Sequence, residues 1–437
     1  MVLPATILRI RNLLVSQRRR LSNAGTLGGA SVIAAFASLI ALALNTRGLG
    51  AADFGVLVAI QAYVALCATI CTMETWQSVC RLAAEDGADM RAICRKTLAL
   101  DLLAAVAAFL LAVVGLQLFG AATGLDERYK VLAMVYSLSL LLGVTGTPRG
   151  FFRFRDGFDV LAANLIFNAV LLLATSFLLW AYESPLEHYV YAFTVVAVLA
   201  KLQLMARFYL RFRKVAPAAD PPPLTFGRVA RMSLAVSLLS TITNSRKNLA
   251  IMAAGGFLGA AGAGLVGAAF RCTTILSRVT ETLKQLLFSD TVKAFARPET
   301  STGAVRKLRG ASLALLGFLL VGAATFALFA DLIVELVLGP DFADAAPVLG
   351  ALLLAEGLYL ATVMFIPVFQ VRGRTNLLSA IHAGVLASFF AALVIVEAEM
   401  TPLLFALCYT VPLIFAYAAQ YWLVLGPKGI IRNGAGT

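Results

Sequence analysis

Charged side chains inside long apolar stretches are the residues of this chain best suited to chemistry. Arg271 and Arg278 are seven residues apart in one such stretch, with Thr274 between them, so all three share one helix face. If that helix enters a membrane near Gly264, a rise of about 1.5 Å per residue places the two arginines roughly 10 and 21 Å deep. Arginine presents a planar fork of donors that suits phosphate, so this face is predicted to bind an anionic substrate. The alternative is that Arg278 simply pairs with Glu281.

A second apolar stretch carries Asn244, Arg246 and Lys247, at a depth similar to that of Arg271. Charges within membrane spans are costly and usually mark a substrate path, so these residues are predicted to belong to the same binding site. The alternative is that the helix is kinked here and its cations reach an interface along their apolar stems.

One carboxylate is expected near a membrane midplane. Glu356 lies some 13 Å into its stretch by the helical rise. It is predicted to be either a proton or cation coupling site or a counter-ion for the arginines, and Glu281 has the same two interpretations. His382 is expected to be a hydrogen-bonded core group. Asp101 and Lys201, near the inner ends of their helices, are interpreted as interfacial.

The composition determines which elements must position these groups. Of the 437 residues, 60% are hydrophobic and 14% are charged, whereas soluble domains carry roughly 25% charged residues. The apolar runs are continuous and long enough to cross a bilayer as helices, which favours helices over a barrel. Twelve such stretches lie near 25–46, 54–79, 97–119, 130–147, 160–181, 189–210, 232–255, 264–292, 311–330, 347–369, 377–396 and 402–425. The fold class is therefore all-α, a polytopic membrane protein.

The net charge of +13 follows the membrane topology. Arginine and lysine are concentrated in alternate loops, whereas the intervening loops hold only Arg47, Arg128 and Lys130. By the positive-inside rule both termini are cytoplasmic, and nucleic acid is not expected as a partner. The six cysteines show no spacing typical of a metal site, and no metal or other cofactor is predicted.

A repeat divides the chain into two halves. Residues 49–55 (LGAADFG) end the first apolar stretch, and residues 258–264 (LGAAGAG) end another, 209 positions later. The Pro-rich segment around 216–223 is a stiff spacer between them. We therefore expect a cytoplasmic segment (1–20), a six-helix half (21–210), a linker (211–231), a second six-helix half (232–425) and a cytoplasmic tail (426–437). Two such halves with a substrate path between them are a recurring plan of secondary transporters.

Two motifs resemble those of a known family. Residues 47–55 (RGLGAADFG) are similar to the signature after the first helix of the Wzx-type polysaccharide flippases. Residues 337–342 (VLGPDF), followed by 345–349 (AAPVL), are similar to their signature before the tenth helix. The resemblance runs from about 20 to 425. It implies the twelve-helix fold of the multidrug/oligosaccharidyl-lipid/polysaccharide (MOP) exporter superfamily. It also implies movement of a polyprenyl-diphosphate-linked oligosaccharide, an O-antigen or exopolysaccharide repeat unit, from the inner to the outer leaflet.

Three functions are compatible with this plan. The first is the lipid-linked oligosaccharide flippase of the bacterial inner membrane. Its partners would be the lipid-linked oligosaccharide, membrane lipid and polysaccharide assembly proteins, and its transport could be coupled to H⁺ or Na⁺. The second is a multidrug or organic-cation antiporter of the same fold, which would need acidic residues in its cavity. The third is a membrane polysaccharide polymerase, for which no large catalytic loop is visible. A transporter rather than an enzyme is therefore expected.

Overall fold

The chain folds entirely into helices over the part that the structure describes. The computed structural model describes residues 5–119, 127–217, 223–273, 301–363 and 365–426. Ten of its helical stretches are long and apolar enough to cross a membrane. The α-helices are α1 (Ala5–Cys71), α2 (Thr75–Ala83), α3 (Met90–Phe119), α4 (Glu127–Ser137), α5 (Gly146–Phe154), α6 (Phe158–Ala181), α7 (Leu186–Phe212), α8 (Phe226–Cys272), α9 (Ser301–Leu328), α10 (Ala330–Leu338), α11 (Ala345–Val363), α12 (Ile366–Val371), α13 (Thr375–Ile395) and α14 (Pro402–Leu425). The protein is thus a polytopic membrane protein, as predicted.

Two of these helices are each divided by a glycine. Gly50 in α1 has a φ of 68° and a ψ of 176°, and Gly259 in α8 has a φ of 72° and a ψ of −174°. A side chain is strongly disfavoured in this region of conformational space, so glycine is required at both turns. The two glycines are the second residues of the repeated motifs. With each of these helices counted as two segments, the ten stretches contain twelve segments among the described residues. The eighth is described only to Thr273.

The turns of α1 and α8 pack directly against each other. A Cβ atom on Gly55 would overlap the carbonyl oxygen of Ala260, and one on Gly264 would overlap the carbonyl oxygen of Ala51. Small residues allow such backbone contact between membrane helices, where packing rather than hydrophobic exclusion drives association. The two repeated motifs therefore lie on the same side of the membrane.

The two motifs of the family resemblance also contact each other. The Arg47 guanidinium donates to the carbonyl oxygen of Leu336 at 2.6 Å, and the rings of Phe54 and Phe342 meet edge to face at 5.8 Å. The short helix predicted before the second motif is α10, and Gly339, with a φ of 95°, ends it. These motifs thus connect the turn of α1 to the loop that precedes α11.

Two predicted spans are interrupted rather than continuous. The span predicted over 54–79 breaks at 72–74, where Glu74 has a φ of 42°. The span predicted over 130–147 ends as a 3₁₀ turn at 138–142, and α5 begins anew at Gly146. Hydropathy alone could not reveal these breaks, because tertiary contacts stabilise the new helix ends. Helix α8 also begins inside the predicted linker, whose helix-free part is therefore shorter than 211–231.

Candidate functional site

The most deeply buried charges lie together where α8 meets α11. Arg246 and Glu356 are each 4% exposed, with Arg246 Nη2 at 3.1 Å from Glu356 Oε1. Lys247 Nζ lies 2.9 Å from the other carboxylate oxygen, Oε2. One carboxylate therefore binds two cations, and this group of three carries a net positive charge.

Aromatic rings enclose the guanidinium of Arg246. Its central carbon lies 4.1 Å from the ring centroid of Tyr359, one turn after Glu356 on α11, and 5.4 Å from that of Tyr409 on α14. The ring of His382, itself 4% exposed, lies 6.1 Å from that of Tyr359. Desolvated cation–π contacts of this kind stabilise a buried arginine and hold it in one orientation.

Part of this polar cluster is not satisfied by hydrogen bonds. Within the described residues, Arg246 Nε and Nη1, Tyr409 Oη and His382 Nε2 are buried without a hydrogen-bond partner. Buried donors are normally paired, and exceptions are common where a ligand completes the site. The donors of Arg246 that Glu356 leaves unused are therefore available to an anion.

Arg271 lies in a separate contact between the two halves of the sequence. Its guanidinium donates to Gln61 Oε1 and lies 5.3 Å from the ring centroid of Phe54. Gln61 was not predicted. The repeat could have revealed it, because adding the offset of 209 to position 61 gives 270, next to Arg271.

The structure places the remaining predicted residues as follows. Arg246, Lys247 and Glu356 come together, whereas Asn244 is exposed and has no described bond to them. The other three candidates, Thr274, Arg278 and Glu281, lie outside the described residues. His382 lies in the core, as expected, but its Nε2 has no hydrogen-bond partner among the described residues. No group of three His, Cys, Asp or Glu side chains suited to a metal ion occurs in the described part of the chain.

Asp101 is a buried residue whose role the sequence did not indicate. It is 7% exposed. Its Oδ1 accepts from the Thr75 hydroxyl at 2.5 Å, and its Oδ2 accepts from the Thr147 backbone N–H at 2.7 Å. Lys201 Nζ donates to the carbonyl oxygen of Ser139 at 2.5 Å, in the 3₁₀ turn that precedes the break before α5. An anion at helix N-termini and a cation at a C-terminal carbonyl complement the dipoles of the interrupted helices.

Comparison with solved structures identifies the architecture. The chain superposes on the lipid II flippase MurJ in an inward closed conformation with a TM-score of 0.66 and 11% identity, over 91% of this chain and 87% of MurJ. It superposes equally well, at 0.66 and 13% identity, on a ligand complex of the MATE multidrug transporter DinF-BH, over 94% and 96% of the two chains. This chain has the MATE/MOP fold.

Sequence comparison reaches a shorter part of the chain. It is 27% identical over 171 residues to the inner membrane protein YghQ of Escherichia coli strain K12. The match covers 38% of this chain and 48% of that relative, so the chain spans about half the length of the relative it matches. No protein-family model matches the chain.

Proposed function

We propose that this protein is a flippase that moves a polyprenyl-diphosphate-linked oligosaccharide, an O-antigen or exopolysaccharide repeat unit, from the inner to the outer leaflet by alternating access. Its headgroup would be held on cations in a central cavity between the two halves. The observation that carries the proposal is a pair of cations, the buried Arg246 and the partly buried Lys247, on a single carboxylate.

The charge of this cluster favours an anionic substrate. One buried cation, one partly buried cation and one carboxylate leave a net positive charge, which is costly in a membrane interior unless an anion or water compensates it. Arginine can bind phosphate through two parallel hydrogen bonds, and lysine adds a point charge beside it. A diphosphate therefore matches these donors, and the polyprenyl tail would remain in lipid.

Further predicted residues complete this proposal. Arg271, Arg278 and Thr274 would contact the same headgroup, and Asn244 would lie at its edge. The similarity of fold to a lipid II flippase, and of sequence to an inner membrane protein, is compatible with a lipid-linked substrate in the bacterial inner membrane. Both termini would then be cytoplasmic, and the protein would be a transporter rather than an enzyme.

A multidrug or organic-cation antiporter is the second candidate. The observation in its favour is the equal similarity of fold to a multidrug transporter. Such a substrate would have to approach Arg246 and Lys247, whose positive charges repel it. The two candidates therefore predict opposite charge selectivity.

Reconstituted protein can distinguish them. Purified full-length chain in liposomes is tested for translocation of a fluorescent polyprenyl-diphosphate-linked sugar and for uptake of an organic cation. We expect the first activity, and we expect Arg246→Ala and Lys247→Ala to reduce it at least about tenfold, the loss that corresponds to about 1.4 kcal/mol. Arg231→Ala, an exposed cation at the start of α8, is the matched control and should retain it. Uptake of the cation without translocation of the lipid would contradict the proposal.

A further inference from the structure

Glu356 lies where a bound anion would lie. Its two carboxylate oxygens each face one cation, Arg246 at 3.1 Å and Lys247 at 2.9 Å. A phosphate group held by an arginine and a lysine would present two of its oxygens in the same way. Glu356 and an incoming phosphate would therefore compete for the same donors.

We propose that Glu356 is an internal competitor: it occupies the anion site of Arg246 and Lys247 in the absence of substrate, and the substrate phosphate displaces it. This inference rests on the proposed function, since it takes the ligand of the two cations to be the diphosphate headgroup. It assigns to Glu356 a role in substrate release.

The unused donors of Arg246 favour the exchange. Glu356 accepts from Nη2, whereas Nε and Nη1 are buried without a hydrogen-bond partner. A planar carboxylate with both oxygens already engaged cannot serve these donors. A tetrahedral diphosphate has additional oxygens that can, and satisfying a buried donor removes the penalty of leaving it unpaired.

Aromatic packing holds Arg246, so we take the carboxylate rather than the guanidinium as the group that moves. Tyr359 and Tyr409 pack on the guanidinium from two different helices, so Arg246 is held in place. The Lys247 side chain is 29% exposed, whereas that of Glu356 is 4% exposed, so an anion reaches Lys247 first. The exchange requires the Glu356 side chain to rotate about its own bonds and vacate the site.

An internal competitor weakens substrate binding and so favours release. As the phosphate leaves, Glu356 returns, so the two cations do not stay buried without an anion. The apparent dissociation constant equals the intrinsic constant divided by the fraction of molecules in which the site is open. If Glu356 leaves the site open in only a small fraction of the molecules, the dissociation constant therefore rises by the inverse of that fraction.

The test removes the charge of the competitor and keeps its shape. Binding of farnesyl diphosphate, a short polyprenyl diphosphate, is measured by calorimetry on the purified full-length protein and on Glu356→Gln. If Glu356 closes the site in about nine of ten molecules, the variant binds about tenfold more tightly. Glu335→Gln, which removes an exposed carboxylate on α10, is the control and should bind like the wild type. Unchanged or weaker binding by folded Glu356→Gln would overturn the inference.

Two further variants separate competition from a general effect of charge. In an Arg246→Gln background, Glu356→Gln should tighten binding by a smaller factor than in the wild-type background, because only the competition for Lys247 remains. Equal tightening in both backgrounds would refute internal competition. If Glu356→Gln does not yield folded protein, Glu356→Asp is used instead. Its shorter side chain cannot bridge both cations, so diphosphate binding should tighten at least about threefold. Unchanged binding would refute the inference. Binding that is insensitive to Arg246→Gln alone would overturn the proposed anion site itself.

Discussion

Replacing Asp101 with asparagine should destabilise the interrupted helices without changing the volume of the side chain. The carboxylate of Asp101 offers one oxygen to the Thr75 hydroxyl and the other to the Thr147 N–H. An amide has a single acceptor oxygen, and its NH₂ group cannot accept from a backbone N–H. The Thr75 hydroxyl can rotate to accept from that NH₂ group, so both contacts can persist, but neither of them remains charge-assisted.

The magnitude follows from what the structure shows at this position. A buried hydrogen bond to a charged group contributes about 1.5–3 kcal/mol and one between neutral groups about 0.5–1.5 kcal/mol, so weakening two bonds costs about 2–3 kcal/mol. An anion at a helix N-terminus contributes about 0.3–1 kcal/mol more. Asp101→Asn should therefore lower the free energy of unfolding by about 2–4 kcal/mol. Asp159→Asn is the control, because its carboxylate is exposed and lies 3.6 Å from an exposed Arg211, and it should cost less than about 1 kcal/mol.

The assay is reversible unfolding of the purified protein in mixed micelles, followed by circular dichroism for both variants. Helix loss should begin at lower denaturant for Asp101→Asn than for Asp159→Asn. Equal midpoints and equal slopes for the two variants would show that the carboxylate does not hold the two helix ends, and the reasoning would be refuted.

Two other predictions concern the turn of α8 and the contact between halves. Gly259→Ala should lower the free energy of unfolding by about 1–3 kcal/mol. Its new Cβ meets no atom within 4 Å, so the cost arises from the backbone conformation. The control is Gly256→Ala, three residues earlier in ordinary helix, which should be neutral or stabilising in the same unfolding assay. Gln61→Leu should lower the free energy of unfolding by about 1–3 kcal/mol, because Arg271 loses its acceptor on Gln61. Gln61→Glu keeps an acceptor at this position and should preserve stability. Equal stability of the wild type and Gln61→Leu would contradict this prediction.

The sequence predicted the elements of this protein better than their contacts. The offset of 209 located both glycine turns, because a turn is specified by a short local motif. Arg246 and Glu356 could each be recognised as a charge in an apolar stretch, but their pairing joins positions 110 residues apart and leaves no periodic signal. The breaks near Glu74 and Gly146 were missed for a related reason: their stabilising group, Asp101, lies on a different helix.

The contact between the α1 and α8 turns has a symmetry that its individual atoms do not reveal. Gly55 meets Ala260, and Gly264 meets Ala51. Adding 209 to 51 gives 260 and adding it to 55 gives 264, so each partner in one contact is the repeat equivalent of a partner in the other. This reciprocity defines an isologous interface, in which the same patch serves both sides of a two-fold axis. These four residues therefore contact one another as the two sides of a symmetric dimer interface do, within one polypeptide, and a substitution on one side of the axis has a matched counterpart on the other.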